Sequence, residues 1–261
     1  MKARTIHLAL AAMLPLIFML AGTTTFAADE MAAKDAPGTV ASTWIMWPKD
    51  GQTQQFEAAL KTYAAWRKSA GEGWVWSIYQ PVVGSDLSFY GVRSGGHHWK
   101  DIDSNTAWEA SSGAVKKFDT DVAPYMARIE HYFSESDTKH SNWIESKDYK
   151  LFSVTSYATK PGTYGERLDA LNKIQKAVTD EKWTYPYEIS NTIGGKEPLQ
   201  IVIPMKGYAD MADPDPSLMK VLAKSLGSTE AAAATMKEFG SSIDHSNTTI
   251  YVYRPDLSTP K

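Results

Sequence analysis

Apolar residues along this chain switch between two periods, and the whole succession occurs twice. From Val40 to Trp47 β-branched and aromatic residues predict a strand, closed by Pro48 and the turn-like Lys49-Asp50-Gly51. Between Gln52 and Ser69 the apolar positions Phe56, Ala59, Leu60, Tyr63 and Trp66 recur at three- and four-residue spacing, which predicts an amphipathic helix ended by Gly71 and Gly73. Trp74 to Val83 and Leu87 to Arg93 then predict a hairpin around Gly84-Ser85-Asp86. After Gly95-Gly96 come helical stretches, the better of which sets Val115, Phe118 and Val122 on one face, and Arg128 to Phe133 closes the set as a strand.

The order starts again after a polar stretch. Lys150 to Ala158 predicts a strand, and Lys160-Pro161-Gly162 matches Lys49-Asp50-Gly51. Thr163 and Glu166 have the spacing of a capping box for a helix carrying Leu168, Leu171, Ile174 and Val178. Trp183 to Gly207 repeats the hairpin. Helices from Ser217 to Gly227 and from Ser228 to Phe239 follow, and Thr248 to Tyr253 supplies the last strand. The resulting division is 1–27 leader peptide, 28–38 flexible segment, 39–134 first unit, 135–149 linker, 150–255 second unit and 256–261 tail. Each unit reads βαββαβ, an α+β pattern with helices on one sheet face. Trp74 and Trp76 share one strand face while Val75 and Tyr79 share the other, so both faces read as buried. Two bare faces that meet would enclose a space lined by Trp and Tyr.

On that element order and duplication, over roughly residues 39–254, the chain resembles the dimeric α/β-barrel superfamily, in which two ferredoxin-like units pack sheet to sheet. Here both units lie in one polypeptide. The resemblance implies a fold shared by cofactor-independent quinone-type monooxygenases, EthD-like and NIPSNAP-like proteins, and the haem-binding chlorite-dismutase-like group; a shared fold does not choose among them. In the tandem haem proteins the iron ligand is a histidine on a helix of the C-terminal unit. This sequence offers that unit only His245, between the last helix and the last strand, with His140 in the linker, so no cofactor is expected.

The N-terminus adds an address. Lys2 and Arg4 precede an apolar run from Leu8 to Gly22, and Thr25-Phe26-Ala27 offers small residues before a cleavage point, the pattern of a secretory signal cut after Ala27. The expectation is a periplasmic or secreted protein with no membrane insertion after cleavage. Thr23 stands where a lipid-bearing cysteine would be needed, and the chain has no cysteine at all, so disulfides and thiolate chemistry are excluded. Loss of Lys2 and Arg4 takes the net charge from -3 to -5. With no basic stripe, nucleic acid is not an expected partner; a homo-oligomer is open.

Chemistry-bearing candidates cluster in the first unit. Gly95-Gly96-His97-His98, with Arg93 before it and Asp101 beyond, reads either as a barrel-mouth site or as a turn whose His98 begins a helix; adjacent histidines diverge, and no metal site is assigned. His131 shares a strand face with Ile129 and Phe133, opposite Glu130 and Tyr132. Beside Tyr90 and Arg93 it would bind a phenolic or quinone oxygen or move a proton; otherwise it is a half-buried, hydrogen-bonded residue. His131 and Arg93 are therefore the catalytic candidates, and Trp44, Trp74, Trp76, Tyr90, His97 and His98 the ligand-binding ones. Seven of the nine tryptophans fall in the first unit, which suits a pocket for a planar molecule. The functional expectation is an exported protein that binds a small organic molecule in an aromatic pocket, as a binder or as a cofactor-independent oxygenase or isomerase. The alternatives are a non-catalytic envelope interaction or assembly protein and a haem binder.

Overall fold

The computed structural model describes residues 38–260; the expected signal peptide and all of the leader except Gly38 lie outside them. The first unit contains β1 (Val40–Pro48), α1 (Thr53–Ser69), β2 (Ser77–Val83), β3 (Tyr90–His97), α2 (Trp99–Ser112), α3 (Ala114–Asp121) and β4 (Met126–Ser136). The second contains β5 (Leu151–Thr159), α4 (Tyr164–Asp180), β6 (Glu188–Ile193), β7 (Leu199–Met205), α5 (Leu218–Leu226), α6 (Thr229–Ser241) and β8 (Ile243–Tyr253). The chain is thus two tandem βαββαβ units of mixed α+β structure. Among the described residues no helix is long and apolar enough to cross a membrane.

Within each unit the strand order is the same, β4-β1-β3-β2 and β8-β5-β7-β6. The units join at their edges: β2 pairs antiparallel with β8, Tyr79 opposite Tyr253, and β4 pairs with β6, Phe133 opposite Ile193. Eight strands therefore close into a barrel, each paired on both sides among the described residues.

Side-chain parity then sorts the residues. Trp44 and Met46 on β1, Ile78 on β2 and Val92 on β3 point outward, where α1 covers them with Phe56, Leu60 and Tyr63. The second unit repeats this with Ile189 and Leu199 under Leu171, Ile174 and Val178 of α4. Each core lies between the outer sheet face and its helices. Thr43, Ile45 and Trp47 of β1 point the other way, into the barrel.

Several local expectations are corrected. Strand β2 begins at Ser77, so Trp74 and Trp76 precede it, and β3 continues through Gly95-Gly96 to His97 instead of stopping at Arg93. The Thr163 hydroxyl donates to the Lys160 carbonyl and makes no side-chain cap on α4. Ser217 and Ser228 do cap α5 and α6, accepting from the Lys220 and Ala231 amides. The linker is ordered against the second unit, with the Asn142 amide donating to the carbonyls of Trp183 and Tyr185. Nor is the C-terminal segment loose. It folds back along the entry to β2, where the Ser258 hydroxyl accepts from the Ile78 amide and Thr259 exchanges bonds with the Trp76 backbone, burying Leu257.

Candidate functional site

The inner faces of the two units line a cavity of about 930 Å³ that opens to solvent. Its wall is aromatic and polar: Tyr79, Tyr132, Tyr251, Tyr253 and Phe152 with Ser77, Gln200 and Thr249 between them. Both units contribute, and the linker adds Trp143 and Tyr149. Burial raises the phenols of Tyr79, Tyr132 and Tyr251 above the usual tyrosine range, and the Arg93 guanidinium opposes that rise at Tyr79 and Tyr132. These rings stay neutral hydrogen-bonding groups at physiological pH.

Arg93 enters this cavity from β3. Glycine at position 95 makes room for it: a Cβ built there would lie 2.7 Å from Nη1, so the guanidinium runs back over the bare Gly95 backbone. Its charged neighbour is Glu188 of β6, with Nη2 3.9 Å from Oε1, too long for a hydrogen bond. Glu188 is itself oriented by the Ser136 hydroxyl, which donates to Oε1 at 2.6 Å. A cation from one unit and a carboxylate from the other therefore stand side by side, facing a common space.

Strand parity directs the side chains of Trp44, Tyr90 and His131 to the helix side of the sheet, opposite the Arg93 side chain, and Trp76 also packs into that core. His131 still borders the barrel cavity that Arg93 lines. His131 stacks on Trp44 with ring centroids 3.9 Å apart, and its Nε2 bonds the Ser42 hydroxyl at 2.9 Å. The Tyr90 hydroxyl donates to Glu57 at 2.5 Å. His97 stacks on Trp74 at 3.7 Å and bonds Ser94, while His98 supplies the cap of α2 with Asp101. The Gly95-Gly96-His97-His98 motif thus has a gap for Arg93, a left-handed residue at Gly96 and a helix start.

Apart from Trp47, which lines the barrel cavity, the tryptophans of the first unit lie outside it. Trp44 and Trp76 border a smaller, apolar cleft of about 160 Å³ between sheet and helices, together with Met46, Leu60, Phe118 and Val115. At its wall Arg67 is nearly buried. Its Nε donates to Glu72 at 2.6 Å, Nη2 donates to Glu109 at 2.6 Å and Nη1 to the Tyr63 hydroxyl at 3.1 Å. The Trp76 indole donates to the same Glu72. Polar groups around this cleft are engaged with one another, whereas Arg93 and Glu188 point into open space.

Burial lowers the pKa of both His131 and His97, with Glu109 and Asp101 respectively opposing the effect. For a histidine depressed in the folded state, the unfolded chain binds more protons below its ordinary pKa of about 6.5. Stability is then complete above that pH and falls as pH drops toward the folded value. The urea midpoint should decline between pH 7.5 and 5.5, and the slope should flatten in a His97→Gln/His131→Gln variant. A profile identical to the parent's would show that these two rings do not supply it.

No family model and no curated protein matches the chain. Solved structures do. A candidate monooxygenase from Fusobacterium nucleatum subsp. nucleatum aligns with TM-score 0.54 and 10% identity over 84% of this chain and 93% of that one. A candidate monooxygenase from Lactobacillus acidophilus aligns at 0.53 and 9% over 84% and 94%. A variant chlorite dismutase from Candidatus Nitrospira defluvii aligns at 0.51 and 9% over 84% and 93%. The fold is the dimeric α/β barrel. At identities this low the structural likeness shows the fold alone and assigns no subfamily. Haem, implied only by the resemblance to the chlorite-dismutase-like group, finds no fitting ligand on the helices of the second unit: α4, α5 and α6 carry no histidine. His245 lies on β8, exposed and directed at Asp244 and Glu197.

The expected lining of Trp and Tyr did not name the tyrosines that form the wall, Tyr79, Tyr132, Tyr251 and Tyr253, as site residues. The signal was present in Thr248 to Tyr253, where Ile250 and Val252 alternate with Tyr251 and Tyr253. The aliphatic parity, Ile250 and Val252, packs with Leu151, Met205 and Val82 on the outer face, and the hydroxyl-bearing parity, Tyr251 and Tyr253, faces the interior.

Proposed function

We propose that the protein binds one small, planar organic molecule inside its barrel. The observation that carries this reading is that the closed barrel is not filled by its own side chains. Its interior space of about 930 Å³ falls in the range that ligand pockets occupy, with aromatic rings for a planar molecule and polar side chains between them to fix orientation. The leader pattern supports a periplasmic or secreted setting for this binding. Should the bound molecule react, the groups present suit cofactor-independent oxygenation or isomerisation: Arg93 faces the position an enolate or phenolate oxygen would take, and Glu188 offers a carboxylate for the proton.

Native mass spectrometry against a panel of aromatic compounds tests the reading. The parent should take up one ligand per chain. Val154→Trp, which places an indole in the middle of the cavity wall, should weaken that uptake at least tenfold without changing the fold. A parent that binds nothing, or a variant that binds equally well, would overturn it. An empty barrel in a stable oligomer would support the envelope-assembly reading instead.

A further inference from the structure

The Arg93–Glu188 pair also specifies a ligand class, given that the barrel interior is the binding site proposed above. We infer that it recognises an aromatic α-amino acid, its carboxylate on Arg93 and its ammonium on Glu188.

Three features of the pair lead there. First, its members are 3.9 Å apart, so among the described residues Arg93 has no hydrogen bond and its guanidinium donors stay available to a carboxylate. Second, Glu188 is turned and held by Ser136 through Oε1, which leaves Oε2 to accept a further donor. Third, the pair is neutral as a whole. A lone anion would meet Glu188 and a lone cation would meet Arg93, each repelled at short range, whereas a zwitterion meets an opposite charge at both ends. In an α-amino acid the two charges branch from one carbon, a spacing that fits two protein groups standing this close together.

The walls select the remainder of the molecule. Tyr79, Tyr132, Tyr253 and Phe152 present ring faces and edges to the same space, suited to an aromatic side chain and, in part, to an ammonium group. Gly95 is a positioning residue here, because the guanidinium lies over its missing Cβ.

Calorimetric titration with three related compounds separates the contributions. L-Phenylalanine should bind at least tenfold tighter than 3-phenylpropionate, which lacks the ammonium, and tighter by a similar factor than phenethylamine, which lacks the carboxylate. Arg93→Met should remove the advantage of phenylalanine over phenethylamine, and Glu188→Gln its advantage over phenylpropionate. Gly95→Ala should weaken phenylalanine about tenfold by shifting Arg93, with the urea midpoint unchanged. Equal affinities for the three compounds, or parental phenylalanine binding in Arg93→Met, would overturn the inference. If uncharged indole or naphthalene binds and is blocked by Val154→Trp while phenylalanine does not bind, the amino-acid class falls and interior binding stands. If no aromatic compound binds, both fall.

Discussion

Glu72→Leu should lower the unfolding free energy by about 3–5 kcal/mol, the cost of leaving a buried charge without its partner. Glu72 is almost completely enclosed, with its side chain 1% exposed, and accepts from Arg67 and from the Trp76 indole. Replacing it strands Arg67 among Tyr63, Trp76 and Trp108, with the more exposed Glu109 as its remaining carboxylate. The companion measurement is Arg67→Met/Glu72→Leu. Removing both charges discards two desolvation penalties together with one attraction, so the double variant should recover most of the loss. Urea unfolding of the four members of the cycle would decide the matter. If the double variant is as unstable as the single one, the network stabilises through shape and not through charge pairing.

A chain stopped after Arg254 should lose about 4 kcal/mol. The removed segment buries Leu257, worth about 2–3 kcal/mol on its own, and satisfies the backbone amides of Trp76 and Ile78 through Thr259 and Ser258. Arg254 would keep its bonds to Glu57 and Gln80. The truncated chain should therefore loosen first at the entry to β2, visible as faster amide exchange at Trp76 and Ile78 than on β5. An unchanged urea midpoint would mean that the strap is held by the fold and does not stabilise it. Leu257→Ala alone should cost about 2–3 kcal/mol.

Much of the architecture was legible from periodicity and duplication, since both are properties of local sequence. Phe56, Leu60 and Tyr63 mark their helix face by spacing, and the matching Lys-x-Gly turns set the two units in parallel. The site was less legible because a strand's two faces can be separated in sequence without showing which one meets a helix. His131 was grouped correctly with Ile129 and Phe133, yet joined to Arg93, which the sheet puts on the opposite side. Tryptophan abundance pointed to a pocket, but most of those indoles pack beneath or around the helices near Arg67. The C-terminal strap was read as a tail because its anchors are backbone and hydroxyl bonds, which leave no apolar period. Glu188 gave no signal of its own; its meaning comes from the edge pairing that brings β6 beside β4.

Fusion of the two units also breaks a symmetry. Lys49 and Lys160 follow the first strand of each unit, which sets Thr43 in correspondence with Val154, and the register then sets Arg93 in correspondence with Val202 and Ser77 with Glu188. Two identical chains forming the same barrel would place every inward residue twice, related by a twofold axis. Such an interior would hold two arginines, or two glutamates, and would present the same view to a ligand from either end. The single chain places Arg93 on one half and Glu188 on the other, with Val202 and Ser77 at the corresponding positions. Its interior therefore has a direction, with unlike charges facing it from the two halves.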